Sequence, residues 1–455
     1  FYSKKIGGIA SLNEKFSLMT KRLFSERNLQ KKAVESGFYK RSGGIKPVEF
    51  FDMLLLCASK WSHQSLRQAN LLLSEQFGVL KSKAGLNMRF NEASVAFVKS
   101  VFTEVLSSQI EHPCFSDKFL SDFKQLRIKD STKIALPECL QSYFKGYGGD
   151  SGKSSVSIQY EYDFKTGTIL DVDLTDGVRS DYIDAKSKVE NINEGDFVLR
   201  DLGYLSSDVL LQMIEQKAFF VSRLNANIAV FNQNGERFSF VKTYEWMKSN
   251  GLRDLDIEVF IGKGKFVPIR MVLSIVPEAV YEKRIRKIVS KSSKKGYKTL
   301  EETKIRNRFT LFITNIDSTK ATLNDIFQLY RLRWQVELCF KHWKSIYKIE
   351  DIPKMKKERF LCLLYAKLIV IILNHQLIFG IRNLLYKYQN KLLSIEKCIK
   401  TIKEKFTSLY LVFRTKKVRD SVKILHKITA VFKENHWIEA KLKKVGSENI
   451  ILLLL

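Results

Sequence analysis

The sequence predicts an α/β fold, a mixed sheet with covering helices, with helical regions at both ends. Three observations carry this. Residues from about 116 to 226 alternate strand patterns with helix patterns. The first 115 residues, and the Lys-rich tail from 386 onward, read as helical. A further strand, "RFTLFITNI" (308–316), resumes after a basic segment. With 455 residues, 45% of them hydrophobic and 12% aromatic, the chain can bury a large core and lacks the composition of a disordered protein.

In the N-terminal region "PVEFFDMLLLCAS" (47–59) opens with Pro at a helix start, and "SLRQANLLLSEQFG" (65–78) stops at Gly78. The next stretch, 82–109, reads as a helix bearing Lys83, Asn87, Arg89 and Asn91. Helix, short turn and polar helix suit a helix-turn-helix DNA reader. A plain helical bundle with polar outer faces is the competing reading.

From 116 the texture changes. "LRIKDSTKIAL" (126–136) alternates as a strand, so Leu126, Ile128 and Asp130 share one face. "GYGGDSGKS" (146–154) lacks phosphate-loop spacing and reads as a connection. "SVSIQYEYDF" and "GTILDVDLTDG" form a hairpin about "KTG". A helix over 181–192, a strand over 196–204, a helix with Ser at its cap and the strand "AFFVSRLN" follow. This order fits three antiparallel strands extended by parallel ones, with helices on the faces. Residues 227–307 carry strand-like pieces, then a basic run from Lys283 to Arg308 opposed only by Glu301 and Glu302. The segment reads as a β-rich basic insertion whose run is a solvated loop or a set of phosphate contacts.

Charge is the first functional clue. Seventy-seven Lys and Arg against 48 Asp and Glu give +29, which favours a polyanionic partner. The six scattered cysteines form no C-x-x-C pair, so a zinc site is not expected and the chain reads as reduced and cytoplasmic. No signal-peptide pattern opens it. The apolar stretch 360–381 is interrupted by Lys367, and its uncharged part is too short for a bilayer, so it reads as a buried helix and no membrane partner is expected.

Three carboxylates stand out. Asp130 lies on an apolar strand face, where it needs a cation or metal. Asp201 follows Phe197, Val198 and Leu199 and precedes Gly203, at the carboxyl end of a strand where open α/β sheets bind ligands. Glu337 sits in "YRLRWQVELCFKHWKS" (330–345), read as one helix. With Tyr330 at zero on that helix, Arg333, Glu337 and Lys344 fall near about −60°, −20° and −40°, one stripe beside the apolar face of Leu332, Val336, Cys339, Phe340 and Trp343. Three such carboxylates suit two-metal phosphoryl transfer, since Mg²⁺ prefers oxygen ligands and neighbouring Arg can grip phosphates.

The pattern Y-x2-R-x3-E-x6-K, matched by Tyr330, Arg333, Glu337 and Lys344, resembles the signature of the IS4 family of insertion-sequence transposases. "KDST" around Asp130 and "RDLGY" around Asp201 look like that family's catalytic aspartate motifs. "SGFYKRSGG" (36–44) and "RFNEASVAFVK" (89–99) resemble its N-terminal region. The resemblance spans about 30–385. It implies a ribonuclease H-like catalytic domain in two parts, 116–226 and 308–385, split by the 227–307 insertion. A helical DNA-binding domain (1–115) precedes it and a helical basic region (386–455) follows. It implies that Asp130, Asp201 and Glu337 bind two Mg²⁺, with Mn²⁺ as a substitute, and that Tyr330, Arg333 and Lys344 contact phosphates of the element's end. Related enzymes hold a flipped base on aromatics; Trp334 is the candidate here and Trp246 a weaker one, ordinary packing being the alternative for both. The expected activity is cut-and-paste transposition on double-stranded DNA by a homodimer in a bacterial cytoplasm. A silent transposase-derived DNA-binding protein and a ribonuclease H-like nuclease are the alternatives.

Overall fold

The computed structural model describes residues 2–41, 44–60, 65–112, 114, 120–148, 152–224, 228–262, 267–294 and 296–438. The expected loop 146–154, the motif 36–44 and the tail to 455 therefore lie partly outside the described residues. The N-terminal region folds as α1 (Tyr2–Leu23), α2 (Glu26–Glu35), α3 (Pro47–Lys60), α4 (Leu66–Phe77), α5 (Lys83–Arg89) and α6 (Glu92–Ser107). Then come β1 (Leu126–Ala135), β2 (Ser155–Asp163), β3 (Ile169–Asp176), α7 (Asp181–Lys188), β4 (Phe197–Arg200), α8 (Ser207–Glu215) and β5 (Phe219–Arg223). The middle of the chain adds β6 (Val230–Phe231), α9 (Phe240–Ser249), β7 (Asp254–Ile261), β8 (Val267–Ile275), α10 (Glu278–Lys294), α11 (Glu301–Arg306) and β9 (Phe309–Thr314). It closes with α12 (Leu323–Arg331), α13 (Trp334–Ser345), α14 (Lys357–Gln389), α15 (Ile395–Thr415) and α16 (Val418–Asn435).

The described residues form two compact units, one drawn from 2–121, 130–179 and 335–438, the other from 122–129 and 180–334. Strand β1 contributes its first four residues to the second unit and its last six to the first.

In the first unit β2 and β3 form the expected antiparallel hairpin, with Ile158 opposite Leu174. Its turn needs Gly167: the backbone is left-handed (φ +79°), and a Cβ there would lie 2.6 Å from the Phe379 side chain. Helix α14 packs against α3 and α6, and every residue from Leu368 to Tyr386 is buried. It is the one described helix long and apolar enough to cross a membrane, and most of its apolar window is covered by protein, as the interrupted sequence implied. Polar caps set the other boundaries. The Ser65–Gln68 capping box opens α4 and left-handed Gly78 closes it. Asn91, with its own capping box to Ser94, starts a new helix. The expected single helix over 82–109 is therefore two, α5 and α6, broken at extended Phe90.

In the second unit β4 lies between β1 and β5 in parallel register, and β9 joins β5 and β8 antiparallel. The strand order there is β1-β4-β5-β9-β8-β7-β6. The parallel pairing of β4 with β1 and with β5 matches the expected parallel strands. The 227–307 segment differs from it. Its strands β7 and β8 continue the sheet through β9, and its helices α9, α10 and α11 hold more of its described residues than its strands do. The basic run is mostly helical because Lys, Arg and Glu are strong helix formers on an exposed face.

Two buried histidines make the first unit acid-sensitive. His375 shares a 2.9 Å hydrogen bond with the Gly167 carbonyl and stacks on Phe379, and burial holds its imidazole down at about 3. His112, likewise desolvated, sits at about 4. Unfolded, each takes a proton near 6.5. Between those values the unfolded chain binds more protons, so stability falls as pH drops from 6.5 toward 4, by up to about 1.4 kcal/mol per pH unit for each ring. Urea midpoints at pH 7 and pH 4.5 should differ accordingly, and His112→Leu should shrink the difference; an unchanged difference would contradict this origin.

Candidate active site

The second unit positions Asp201. Strand β4 is buried throughout, and Asp201 follows it with extended backbone (φ −72°, ψ 164°) before a tight turn over Leu202–Tyr204. The carboxylate thus stands at the carboxyl end of an interior parallel strand, as the sequence implied. Beneath it the sheet is locked by buried charge. Lys129 of β1 meets Asp184 of α7 at 2.6 Å with neither side chain exposed, and Arg127 meets Asp196 at 3.1 Å. Buried ions need such partners.

A cluster forms beside Asp201. Parallel register pairs Leu199 with Val221, and two residues further along each chain stand Asp201 and Arg223. The Arg223 guanidinium lies 5.4 Å from the Tyr330 ring centre, and Arg333 lies 5.8 Å from it. Tyr330 itself is buried against Phe312, ring centres 4.5 Å apart. Burial raises the Tyr330 hydroxyl above the ordinary phenol range and the Asp201 charge adds to this, while Arg223 and Arg333 oppose it. The structure therefore groups Asp201, Tyr330 and Arg333, and adds Arg223, which the sequence reading missed. A signal was present: parallel strands end at one sheet edge, and Arg223 closes the strand next to the one Asp201 follows.

The peptide around Tyr330 corrects one expectation. Residues 330–345 are not one helix. Helix α12 ends at Arg331, a turn closed by Leu332→Leu329 (3.0 Å) and Arg333→Tyr330 (3.1 Å) amide bonds follows, and α13 starts at Trp334. These are i→i+3 bonds, tighter than α-helix. Tyr330 and Arg333 are linked by that turn rather than by a stripe running on to Glu337 and Lys344. Trp334 is 55% exposed at the new helix start, and Trp246 on α9 is 50% exposed.

In the first unit Asp130 is half-buried where the β1 burial pattern breaks, and its carboxylate accepts the Ser131 amide at 2.8 Å. On α13, Val336, Cys339, Phe340 and Trp343 face the core as expected, and Tyr160 of β2 meets Trp343 with ring centres 4.9 Å apart. Glu337 and Lys344 are half-buried on the flank. The Lys344 ammonium donates to the Lys133 carbonyl of β1 at 3.2 Å and pairs with Glu350 at 3.4 Å. Lys344 lies seven helical residues past Glu337 and Lys133 three strand residues past Asp130, spans of about 10 Å each.

Among the described residues no group of three His, Cys, Asp or Glu side chains stands ready to hold a metal ion. The chemistry of the three carboxylates still fits a hard divalent cation, because all their donors are oxygens.

Residues 121–373 match the family model described as the transposase DDE domain, a span that contains Asp130, Asp201, Tyr330, Arg333, Glu337 and Lys344. The chain is 31% identical over 398 residues to the transposase for insertion sequence element IS231F of Bacillus thuringiensis subsp. israelensis, covering 84% of this chain and 83% of the relative. It is 28% identical to the transposase for IS1151 of Clostridium perfringens, over 88% of each, and 29% identical to that for IS231E of Bacillus thuringiensis subsp. finitimus, over 91% and 90%.

The two tryptophans of α13 should answer differently to truncation. Trp343→Ala should cost about 3–5 kcal/mol in urea unfolding, and Trp334→Ala no more than about 0.5 kcal/mol. Equal costs would remove the distinction between a packed and a presented ring.

Proposed function

The chain belongs to the DDE transposase family, and from that premise we propose that it excises a DNA element at its terminal inverted repeats and joins it to target DNA. The observation that carries the reading is Asp201 at a strand end, level with Arg223 and beside Tyr330 and Arg333: a carboxylate for a cation among groups suited to phosphate. Asp130 and Glu337 complete the ligand set. The Lys344–Lys133 hydrogen bond, which ties α13 to β1, supports grouping Glu337 with Asp130.

Two Mg²⁺, or Mn²⁺ in their place, would supply activation of the attacking oxygen and charge neutralisation at the leaving one. The chain's own residues do the rest. Asp130, Asp201 and Glu337 hold the cations. Arg333 and Arg223 can grip phosphate oxygens in fork geometry, and Lys344 adds a point charge. The raised Tyr330 hydroxyl stays protonated at neutral pH and donates. Trp334 offers an exposed face to a base taken out of the stack. The helices of residues 1–115 and the 227–307 segment bind the repeats, and a homodimer pairs two ends. In this partition 116–226 and 308–385 are catalytic, with 386–455 a basic accessory region.

The test is a supercoiled plasmid carrying the gene with its flanking DNA. With Mg²⁺ the chain should release the element, and Asp130→Asn, Asp201→Asn and Glu337→Gln should each lower cleavage on the order of a thousandfold while DNA binding persists. Normal cleavage by any of the three would remove it from the site. Binding without nicking by the unaltered chain in either metal would favour the silent DNA-binding alternative.

A further inference from the structure

Over its middle, helix α3 has no solvent face. Every residue from Phe50 to Ala58 is buried, and all but Asp52 are apolar. Helices α2 and α4 pack on α3 from the same region, and α14 and α15 from much later in the chain. A carboxylate in such a place needs a cation, and α15 supplies it. Arg414 donates from Nε to Asp52 at 3.0 Å, and the Tyr410 hydroxyl donates to the other carboxylate oxygen. Burial drives Asp52 toward its neutral form, and Arg414 opposes this.

Arg414 also donates to the carbonyl of Phe24, the first residue after α1, so one guanidinium joins α15 to both α1 and α3. Other contacts repeat the join. Phe413 meets Phe16 of α1 with ring centres 5.9 Å apart, and Tyr410 meets Phe24 at 6.2 Å. Lys21 of α1 donates to the Phe413 carbonyl at 3.2 Å and to that of Lys416, where the end of α15 favours a cation. Helix α16 then lies along α1, with Asn13 and His426 3.5 Å apart. Asp52 also keeps this face of α3 from packing on any surface that lacks a cation.

We propose that α15 is a latch on the N-terminal helices: α1 and α3 take their DNA-binding arrangement only when Arg414 is seated on Asp52. Arg414 is then a positioning residue for DNA binding, acting through Asp52 and Phe24 and touching no DNA itself. A chain whose synthesis has not passed residue 415 leaves that face of α3 open and holds no DNA. The DNA part rests on the reading of residues 1–115 as the repeat-binding region; the latch itself does not.

The test is amide hydrogen exchange on the full chain, read beside binding to a labelled duplex cut from the DNA flanking the gene. Arg414→Met leaves Asp52 buried without that cation, and amides of α1 and α3 should exchange on the order of a hundredfold faster. Amides of β7 and β8 in the second unit should keep their rates, which shows that the chain is folded. Tyr410→Phe should give a smaller change in the same helices. The double variant Asp52→Leu/Arg414→Met replaces the pair with apolar groups and should restore both protection and duplex binding. That rescue separates a latch from a cation lost out of a DNA contact. Unchanged exchange in α1 and α3, equal acceleration through α6 and α14, or a double variant that restores no protection would each overturn the proposal. If protection follows the expected pattern while the unaltered chain binds no flanking duplex, the latch stands and the repeat-binding reading falls.

Discussion

The buried ion pair between Lys129 and Asp184 fixes which way β1 faces. Neither side chain is exposed and their charged atoms are 2.6 Å apart. Breaking a buried ion pair costs about 3–5 kcal/mol, and here Asp184 also holds Lys188 at 3.3 Å. Along a strand the faces alternate, so Arg127 and Lys129 share one side and Ile128 and Asp130 the other. A slip of one residue would carry Asp130 to the ion-paired side and press Lys129 into the apolar one. The second pair, Arg127 with Asp196, reinforces the same register from the loop that feeds β4. With β1 locked, its parallel pairing sets Lys129 opposite Arg200, and each chain then proceeds directly to an aspartate.

The second unit extends this logic sideways. Strand β5 keeps step with β4, so the residue level with Asp201 is a cation, Arg223. Tyr330 and Arg333 reach the same place from the end of α12, held by a tightened turn rather than a long helix. That turn lets Tyr330 bury its ring on Phe312 while Trp334 stays open to solvent. A continuous helix would have tied the orientation of Trp334 to that of Tyr330.

Much of this was legible in the sequence, and the reasons are specific. Period-two alternation gave the hairpin of β2 and β3, apolar runs gave β4 and β5, and Ser or Gly caps gave the ends of α4 and α8. Asp201 was placed at a strand end from its neighbours alone. The failures share a cause. The breaks at Phe90 and at Leu332–Arg333 fall within stretches of good helix formers, where a local polar cap or a tightened turn outweighs propensity. The helical character of Lys283–Arg306 was masked by its charge, which reads as loop until an apolar partner such as Ile305 is seen packing against the core. Arg223 was missed because its role depends on strand register, which only the shared edge of two neighbouring parallel strands hints at.

The central claim is that Asp130, Asp201 and Glu337, from three separate segments, serve one pair of metal ions. Substituting Fe²⁺ for Mg²⁺ and adding ascorbate and peroxide generates hydroxyl radicals at the metal, which cut the polypeptide nearby. The account predicts three backbone cuts, close to residues 130, 201 and 337, all suppressed by excess Mg²⁺. Cuts at only one of these segments, or at other segments that Mg²⁺ equally suppresses, would contradict it.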